Sequence, residues 1–293
     1  MIDQVTIIGK SLVQHGEVND RIYLMKMDEA DYPQILDELD DLAQERGYSK
    51  IFAKIPEVYK VAFLDTGYEE EALVPAFYHG REGAAFLGKY LQAERKSKDG
   101  EQLSRVLKAA LARQTKTHTL QRLENQEKIL SGPETEALKT EGFSLCSAGT
   151  EDVPEMVQVY KRVFRTYPFP IHDEDYILKT MKENVLYFCV KHQDRIVALS
   201  SSEQDFQGEN VEMTDFATLP EFRGFSLAMR LLEEMERKMK TQGMKTAYTI
   251  ARALSYGMNI TFAKLGYAYA GTLINNTNIS GKLESMNVWY KQL

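Results

Sequence analysis

Over residues 1–90 the apolar residues come in short bursts between polar turns, and the period of each burst predicts its element. Residues 5–9 and 21–26 read as strands on either side of a polar turn. Ile35, Leu36, Leu39 and Leu42 keep helical spacing, which predicts an amphipathic helix over 30–46. Ile51–Ala53 reads as a strand, Pro56–Thr66 as a helix stopped by Gly67, and Leu73–Tyr78 as another strand. Together they make a small α/β domain over residues 1–90.

From 91 to 140 the composition shifts to Lys, Arg, Glu and Gln. Leu103, Val106, Leu107 and Leu111 still fall at helical spacing, so this stretch reads as a helical connector, with a flexible charged linker as the alternative. A third unit, 141–293, is the most regular. Its pattern predicts a strand over 143–147, helices over 152–166 and 173–182, and strands near 185–191, 195–202 and 209–218. A long helix over 224–242 follows, then a strand over 245–251, a helix over 256–265, and strands over 267–274 and 284–291. The order is β-α-α-β-β-β-α-β-α-β-β. One internal echo links the outer units: Phe63 to Tyr68 (FLDTGY) and Phe262 to Tyr267 (FAKLGY) each close a helix before a strand. Either two cousins of one fold stand in tandem, or a helix end followed by an aromatic residue recurs by chance.

Composition narrows the function. With 43% hydrophobic and 27% charged residues the chain belongs with folded globular proteins. A net charge of −7 offers no basic field for nucleic acid or an anionic membrane, but suits a small cationic substrate. Cys146 and Cys189 are too few for a disulfide scaffold or a four-cysteine zinc site, which points to the cytoplasm. The opening twenty residues lack the apolar run of a signal peptide or a membrane span. The five His residues show no ligand spacing, so no metal is expected.

The stretch from Val211 to Leu232 carries the most chemical information: a strand passes through a Pro turn and Arg223-Gly224 into a long amphipathic helix. Free amides from Gly224 through Phe225, Ser226, Leu227 and Ala228 would face outward at the helix start. Gly permits close approach and the helix dipole favours negative charge, so this is a candidate pyrophosphate seat. Taken alone, an ordinary strand-to-helix turn would look the same.

The element order, with Leu219 to Gly224 (LPEFRG) and Phe262 to Tyr267, resembles the GNAT superfamily of N-acetyltransferases over about 150 residues. The family pattern Q/R-x-x-G-x-G/A falls on Glu221 to Ser226; Gly224 fits it, and Glu221 and Ser226 depart at its ends. More narrowly, Thr214 to Pro220, Ala251 to Ala253, Gly257 to Asn259, Gly271 to Ile279 and Glu284 to Lys291 are similar to the branch that acetylates the side-chain amine of β-lysine to make a compatible solute. The resemblance implies a mixed, mostly antiparallel sheet flanked by helices, with the smaller N-terminal α/β domain as a possible degenerate GNAT-like unit. It also implies acetyl-CoA as co-substrate, a small-molecule amine as acceptor, and a monomer or homodimer.

Site residues follow by the same resemblance. Phe216, Ala217 and Thr218 would pair with the pantetheine arm, and a backbone amide would face the thioester carbonyl; Arg223, Asn259 and Phe262 would complete the coenzyme site. The amine must lose a proton before it attacks, because its pKa of about 10.4 keeps it charged at neutral pH. Glu212 is the first candidate base. Asp215 is the second, pointing away by strand alternation unless a bulge intervenes. The usual Tyr that protonates the thiolate is replaced by Phe262, leaving Tyr256, water or the departing ammonium. Arg252 would fork the substrate carboxylate, Asn275 and Asn276 would add polar contacts, and Glu284 would neutralise an ammonium; the Asn run reads equally as a tight loop. Tyr167 to Ile171 is the lid candidate. Two further readings stay open: acetylation of a polyamine or protein lysine, and a non-catalytic acyl-CoA sensor suggested by Phe262.

Overall fold

The computed structural model describes residues 3–96, 100–124, 142–279 and 281–293. The first half runs Gln4–Ile8 (β1), Ser11–Gly16 (β2), Arg21–Lys26 (β3), Ile35–Arg46 (α1), Lys50–Pro56 (β4), Lys60–Asp65 (α2), Glu69–Tyr78 (β5) and Glu82–Tyr90 (β6). Gly100–Glu124 (α3) follows. The second half runs Phe143–Ser147 (β7), Val153–Val163 (α4), Glu174–Glu183 (α5), Val185–His192 (β8), Arg195–Asp205 (β9) and Asn210–Thr218 (β10). It continues with Leu227–Thr241 (α6), Thr246–Arg252 (β11), Tyr256–Lys264 (α7), Ala268–Ile279 (β12) and Lys282–Gln292 (β13). The expected connector is helical as α3, which buries Val106 and Ala110 and donates from Gln114 to Tyr267 O at 2.8 Å. Its part from 125 to 141, with the boundary at 140/141, lies outside the described residues.

The thirteen strands among the described residues join one sheet in the order β1-β2-β3-β4-β6-β5-β12-β13-β11-β10-β9-β8-β7. The sheet is mixed and mostly antiparallel, as expected: β3–β4 and β10–β11 are its parallel pairs. The order β1-β2-β3-β4-β6-β5 reproduces β8-β9-β10-β11-β13-β12, with the parallel pair at the same place, and the halves meet where Ala72 of β5 pairs with Gly271 of β12. The repeat explains the echo. Phe63 and Tyr68 stack edge-on at 5.0 Å and Phe262 and Tyr267 at 5.1 Å, and in each case the Tyr N–H bonds back to the Phe carbonyl.

A shared apolar core of Tyr23, Phe52, Phe77 and Phe86 from one half and Tyr248, Leu273, Met286 and Val288 from the other lies under the seam. Such burial stabilises the seam, at about 25 cal/mol per Å² of apolar surface. Two strands escaped the sequence reading. Ser11–Gly16 was expected as a polar turn, but Gln14 and His15 are buried polar residues that hide its period; β6, with nearly every position buried, shows no alternation at all. Strand β12 extends to Ile279, so Asn275 to Asn278 is strand and not the tight loop weighed above.

Candidate active site

Strand β10 keeps parallel register with β11 only from Asn210↔Thr246 to Glu212↔Tyr248. Beyond that pair β10 follows β9 to Thr218 and β11 follows β13 to Arg252, so the two strands splay and a wedge opens between them. On the outer side of β10 the register with β9 shifts between Thr214 and Ala217, and Asp215 takes φ 55°. This is a β-bulge. It takes Asp215 and Phe216 out of the ladder and breaks the alternation that would send Asp215 to the far face, so Glu212, Thr214 and Asp215 all line one cavity.

Three spaces run together. The first is a cleft of about 560 Å³ between the start of α6 and α7, lined by Phe216, Thr218, Arg223, Gly224, Ser226, Leu227 and Ala228 on one side and Ser255, Gly257, Met258, Thr261 and Lys264 on the other. Helix α6 starts at Leu227, three residues later than expected. Its first main-chain bonds come from Met229 and Arg230 to Ser226 O, leaving the earlier amides for a ligand. Gly224 has φ 96° and open space where a Cβ would sit. Ser226 holds φ 57° without being glycine, the local cost of its departure from the family pattern. Glu221, the other departure, pairs with Arg162 at 3.1 Å, so its charge is met before it can oppose a phosphate. Phe225 is exposed and packs on Phe143 at 5.4 Å. Ala217 is wholly buried beneath the wedge, so only its main chain can serve a coenzyme.

The second space, of about 140 Å³, continues inward past Phe216, Ala251, Arg252, Ser255, Phe262 and Tyr167. Phe262 meets Phe216 edge-on at 5.7 Å and is fully buried. The third, of about 110 Å³, is the innermost, sharing Tyr167, Thr214 and Asp215 with the second. Its far wall belongs to the N-terminal half: Arg21, Tyr23 and Met25 from β3 and Phe52 and Lys54 from β4. Tyr167, Pro168, Phe169 and Ile171 close it from above, and Gln14 Nε2 donates to Pro168 O at 3.3 Å.

The innermost cavity is rich in carboxylates. Burial and the neighbouring Glu203 raise Glu212 to about 7, against the pull of Lys54 and a hydrogen bond from Tyr248. Burial also raises Glu203 and Asp215. Asp215 is firmly held, accepting from Tyr167 Oη at 2.5 Å and from Ser201 Oγ at 2.6 Å. The Tyr167 phenol sits well above its usual value, first through burial and then through Asp215, so it stays protonated. Lys54 Nζ donates to Tyr248 Oη at 2.9 Å.

Several of the expected site residues are engaged within the protein. Arg252 reaches the middle space and forms a bidentate pair with buried Glu284, at 2.8 and 2.7 Å, which occupies its Nε and Nη2 and both oxygens of Glu284. Asn259 is buried and spent: its amide donates to Arg252 O and Ser255 O, and its carbonyl accepts from Asn287 and Trp289. Tyr256 is 46% exposed and lines none of the three spaces. Asn275 bonds to Arg95 O and Ser285 Oγ at the seam, whereas Asn276 does line the cavity. A bulge in β12 between Leu273 and Thr277 releases the carbonyls of Ile274, Asn275 and Asn276, which accept from Lys50, Arg95 and Arg21 respectively. Three buried cations of the first half thus tie the Asn run in place.

The sequence reading missed Glu203 and the contribution of the N-terminal half, Arg21 and Lys54. Only the placing of Arg21 at the start of a strand, and of Lys54 just after one, hinted at them. The matching loop of the first half, between β3 and α1, carries Asp28, Glu29 and Asp31 and no glycine.

Comparison with known proteins agrees with this architecture. Residues 154–267 match the acetyltransferase (GNAT) family. A beta-lysine N(6)-acetyltransferase of Methanococcus maripaludis is 40% identical over 99% of this chain and 99% of its own. The N-acetyltransferase YodP of Bacillus subtilis is 32% identical over 97% of this chain and 96% of its own. A second beta-lysine N(6)-acetyltransferase, from Methanosarcina mazei, is 31% identical over 89% and 98%.

Proposed function

The chain belongs to the acetyltransferase (GNAT) family and is an N-acetyltransferase, and we propose on that footing that it carries the acetyl group of acetyl-CoA to the N6 amine of β-lysine. The product, N6-acetyl-β-lysine, is neutral as a zwitterion and serves as a compatible solute. One observation carries the reading: the coenzyme cleft leads, past the wedge, to a closed cavity holding Glu203, Glu212 and Asp215. Such a cavity suits a substrate that brings ammonium groups.

In the proposed reaction the amides from Gly224 to Ala228 hold the pyrophosphate, and the pantetheine arm lies in the wedge as an extra strand beside β10. The Phe216 amide, out of the ladder at the bulge, donates to the thioester oxygen as charge develops; such a donor is worth about 3 kcal/mol. Glu212, poised near neutrality, takes one proton from the N6 ammonium. The nitrogen attacks the thioester carbon, the tetrahedral intermediate collapses, and the C–S bond breaks. The nitrogen's second proton goes to the departing CoA thiolate, directly or through a water, while Tyr167, which borders both inner spaces, stays protonated and holds Asp215 in place through its hydrogen bond. One proton leaves to solvent from Glu212.

Incubating the purified chain and acetyl-CoA with β-lysine, α-lysine, spermidine and a lysine peptide, and following CoA release, tests the reading. β-Lysine is expected to give the highest kcat/KM, with N6-acetyl-β-lysine by mass spectrometry. Preference for spermidine or the peptide would overturn the substrate, and CoA binding without any product would overturn the activity.

A further inference from the structure

Arg21 opens β3 and is 4% exposed, with its side chain lining the innermost cavity. Its guanidinium lies against the rings of Tyr23 and Phe52, at 5.3 and 5.6 Å. One nitrogen, Nη1, donates to Asn276 O and, at 3.2 Å, to Thr277 Oγ1. The Nε–H is buried and has no acceptor. Among the described residues no carboxylate lies within 4 Å of it. The other buried cations at the seam differ: Lys50 has Glu71 at 2.8 Å and Arg95 has Asp20 at 3.2 Å. A buried guanidinium without a counter-ion is costly, and an anion delivered with a ligand removes that cost. Beside it Asn276 Oδ1 is an equally buried acceptor with no donor.

We propose that Arg21 of the N-terminal half is the acceptor's carboxylate site, its Nε edge forking the acid while Asn276 Oδ1 accepts from the neighbouring ammonium. This deepens the function proposed above and rests on it. The unpaired donor and the unpaired acceptor belong to two residues that line one cavity and are tied together by the bond from Arg21 Nη1 to the main chain of Asn276. A carboxylate and an ammonium close together on one molecule satisfy both, as in an amino acid. The carboxylates Glu203, Glu212 and Asp215 then receive the reacting amine. The N-terminal half thereby chooses an amino acid over a plain diamine, and the C-terminal half performs the transfer.

The test compares wild type, Arg21→Gln and Arg21→Lys on β-lysine, α-lysine and two acceptors without the acid, 1,4-diaminopentane and the carboxamide of β-lysine. Wild type is expected to favour the acids over these carboxylate-free analogues by 100-fold or more in kcat/KM. Arg21→Gln is expected to lose that preference through KM for the acids, while the carboxylate-free acceptors change less than threefold; their retained turnover shows that the variant folds. Should Arg21→Gln not fold, Arg21→Lys, which keeps the charge but not the fork, is expected to lose at least tenfold of the preference. Wild type favouring the carboxylate-free amines, or either folded variant still favouring the acids as wild type does, would overturn the proposal. α-Lysine beating β-lysine, with the preference for acids still lost in Arg21→Gln, would overturn the choice of β-lysine and leave the role of Arg21 standing.

Discussion

Glu212 and Tyr248 are the last Cα partners of the parallel pair β10–β11, and the wedge opens immediately beyond them. The residue assigned as base therefore sits where the sheet stops satisfying its own main chain, so the groups that would bind the thioester and the group that would deprotonate the amine are set by one structural break. Glu212→Gln keeps the shape and removes the basic oxygen. Its kcat is expected to fall 100-fold or more, with affinity for CoA unchanged by calorimetry. Wild-type kcat/KM is expected to rise with pH through about 7 as Glu212 ionises, and the variant to lack that limb. An unchanged rate in the variant would remove Glu212 from the mechanism.

The same substitution has a stability signature. Folding raises Glu212 from 4.5 to about 7, so between those values the unfolded chain gives up its proton while the folded chain keeps it. The wild type accordingly loses stability as pH climbs from 4.5 to 7, by on the order of 3 kcal/mol at 1.36 kcal/mol per pKa unit. Gln does not titrate. Glu212→Gln is expected to melt higher than wild type at pH 8, with the gap closing at pH 4.5 in denaturation curves. A gap of the same size at both values would mean that the carboxylate is not desolvated in solution.

Gly224 supplies a separate check on the coenzyme end. At φ 96° an alanine is strained, although its Cβ would meet nothing. The strain, about 1–2 kcal/mol, falls in an exposed loop that can relax only by moving its amides. Gly224→Ala is expected to raise KM for acetyl-CoA about tenfold while the melting temperature shifts little and the acceptor KM stays put. Unchanged CoA affinity would place the pyrophosphate elsewhere.

What the sequence made legible follows from where periodicity survives. Helices with one buried face, such as α1 and α6, announce themselves, and the Gly224 turn is a local signal. Strand β6 does not, because it is buried on both faces, and Asp215 was misdirected because a bulge leaves no mark on an alternating pattern. The acceptor wall was illegible for a different reason. Arg21 and Asn276 are 255 residues apart, and only the pairing of β5 with β12 brings the halves together. Arg252 looked free for the same reason, its partner Glu284 being a strand away.

That last pair can be tested directly. Glu284 is 3% exposed and receives both Nε and Nη2 of Arg252, with Lys282 Nζ at 3.9 Å. Removing one member of a buried pair strands the other, which costs about 3–5 kcal/mol when both are desolvated. The Arg252 side chain is 37% exposed, so water can take up part of its charge and the expected loss is smaller, about 1–3 kcal/mol. Glu284→Gln is therefore expected to lower the urea midpoint without changing the slope, and to leave the acceptor KM within threefold, since Glu284 lines none of the three spaces. If the acceptor KM rose tenfold with the midpoint unchanged, Glu284 would be touching substrate and the ion pair would be a feature of the empty site alone.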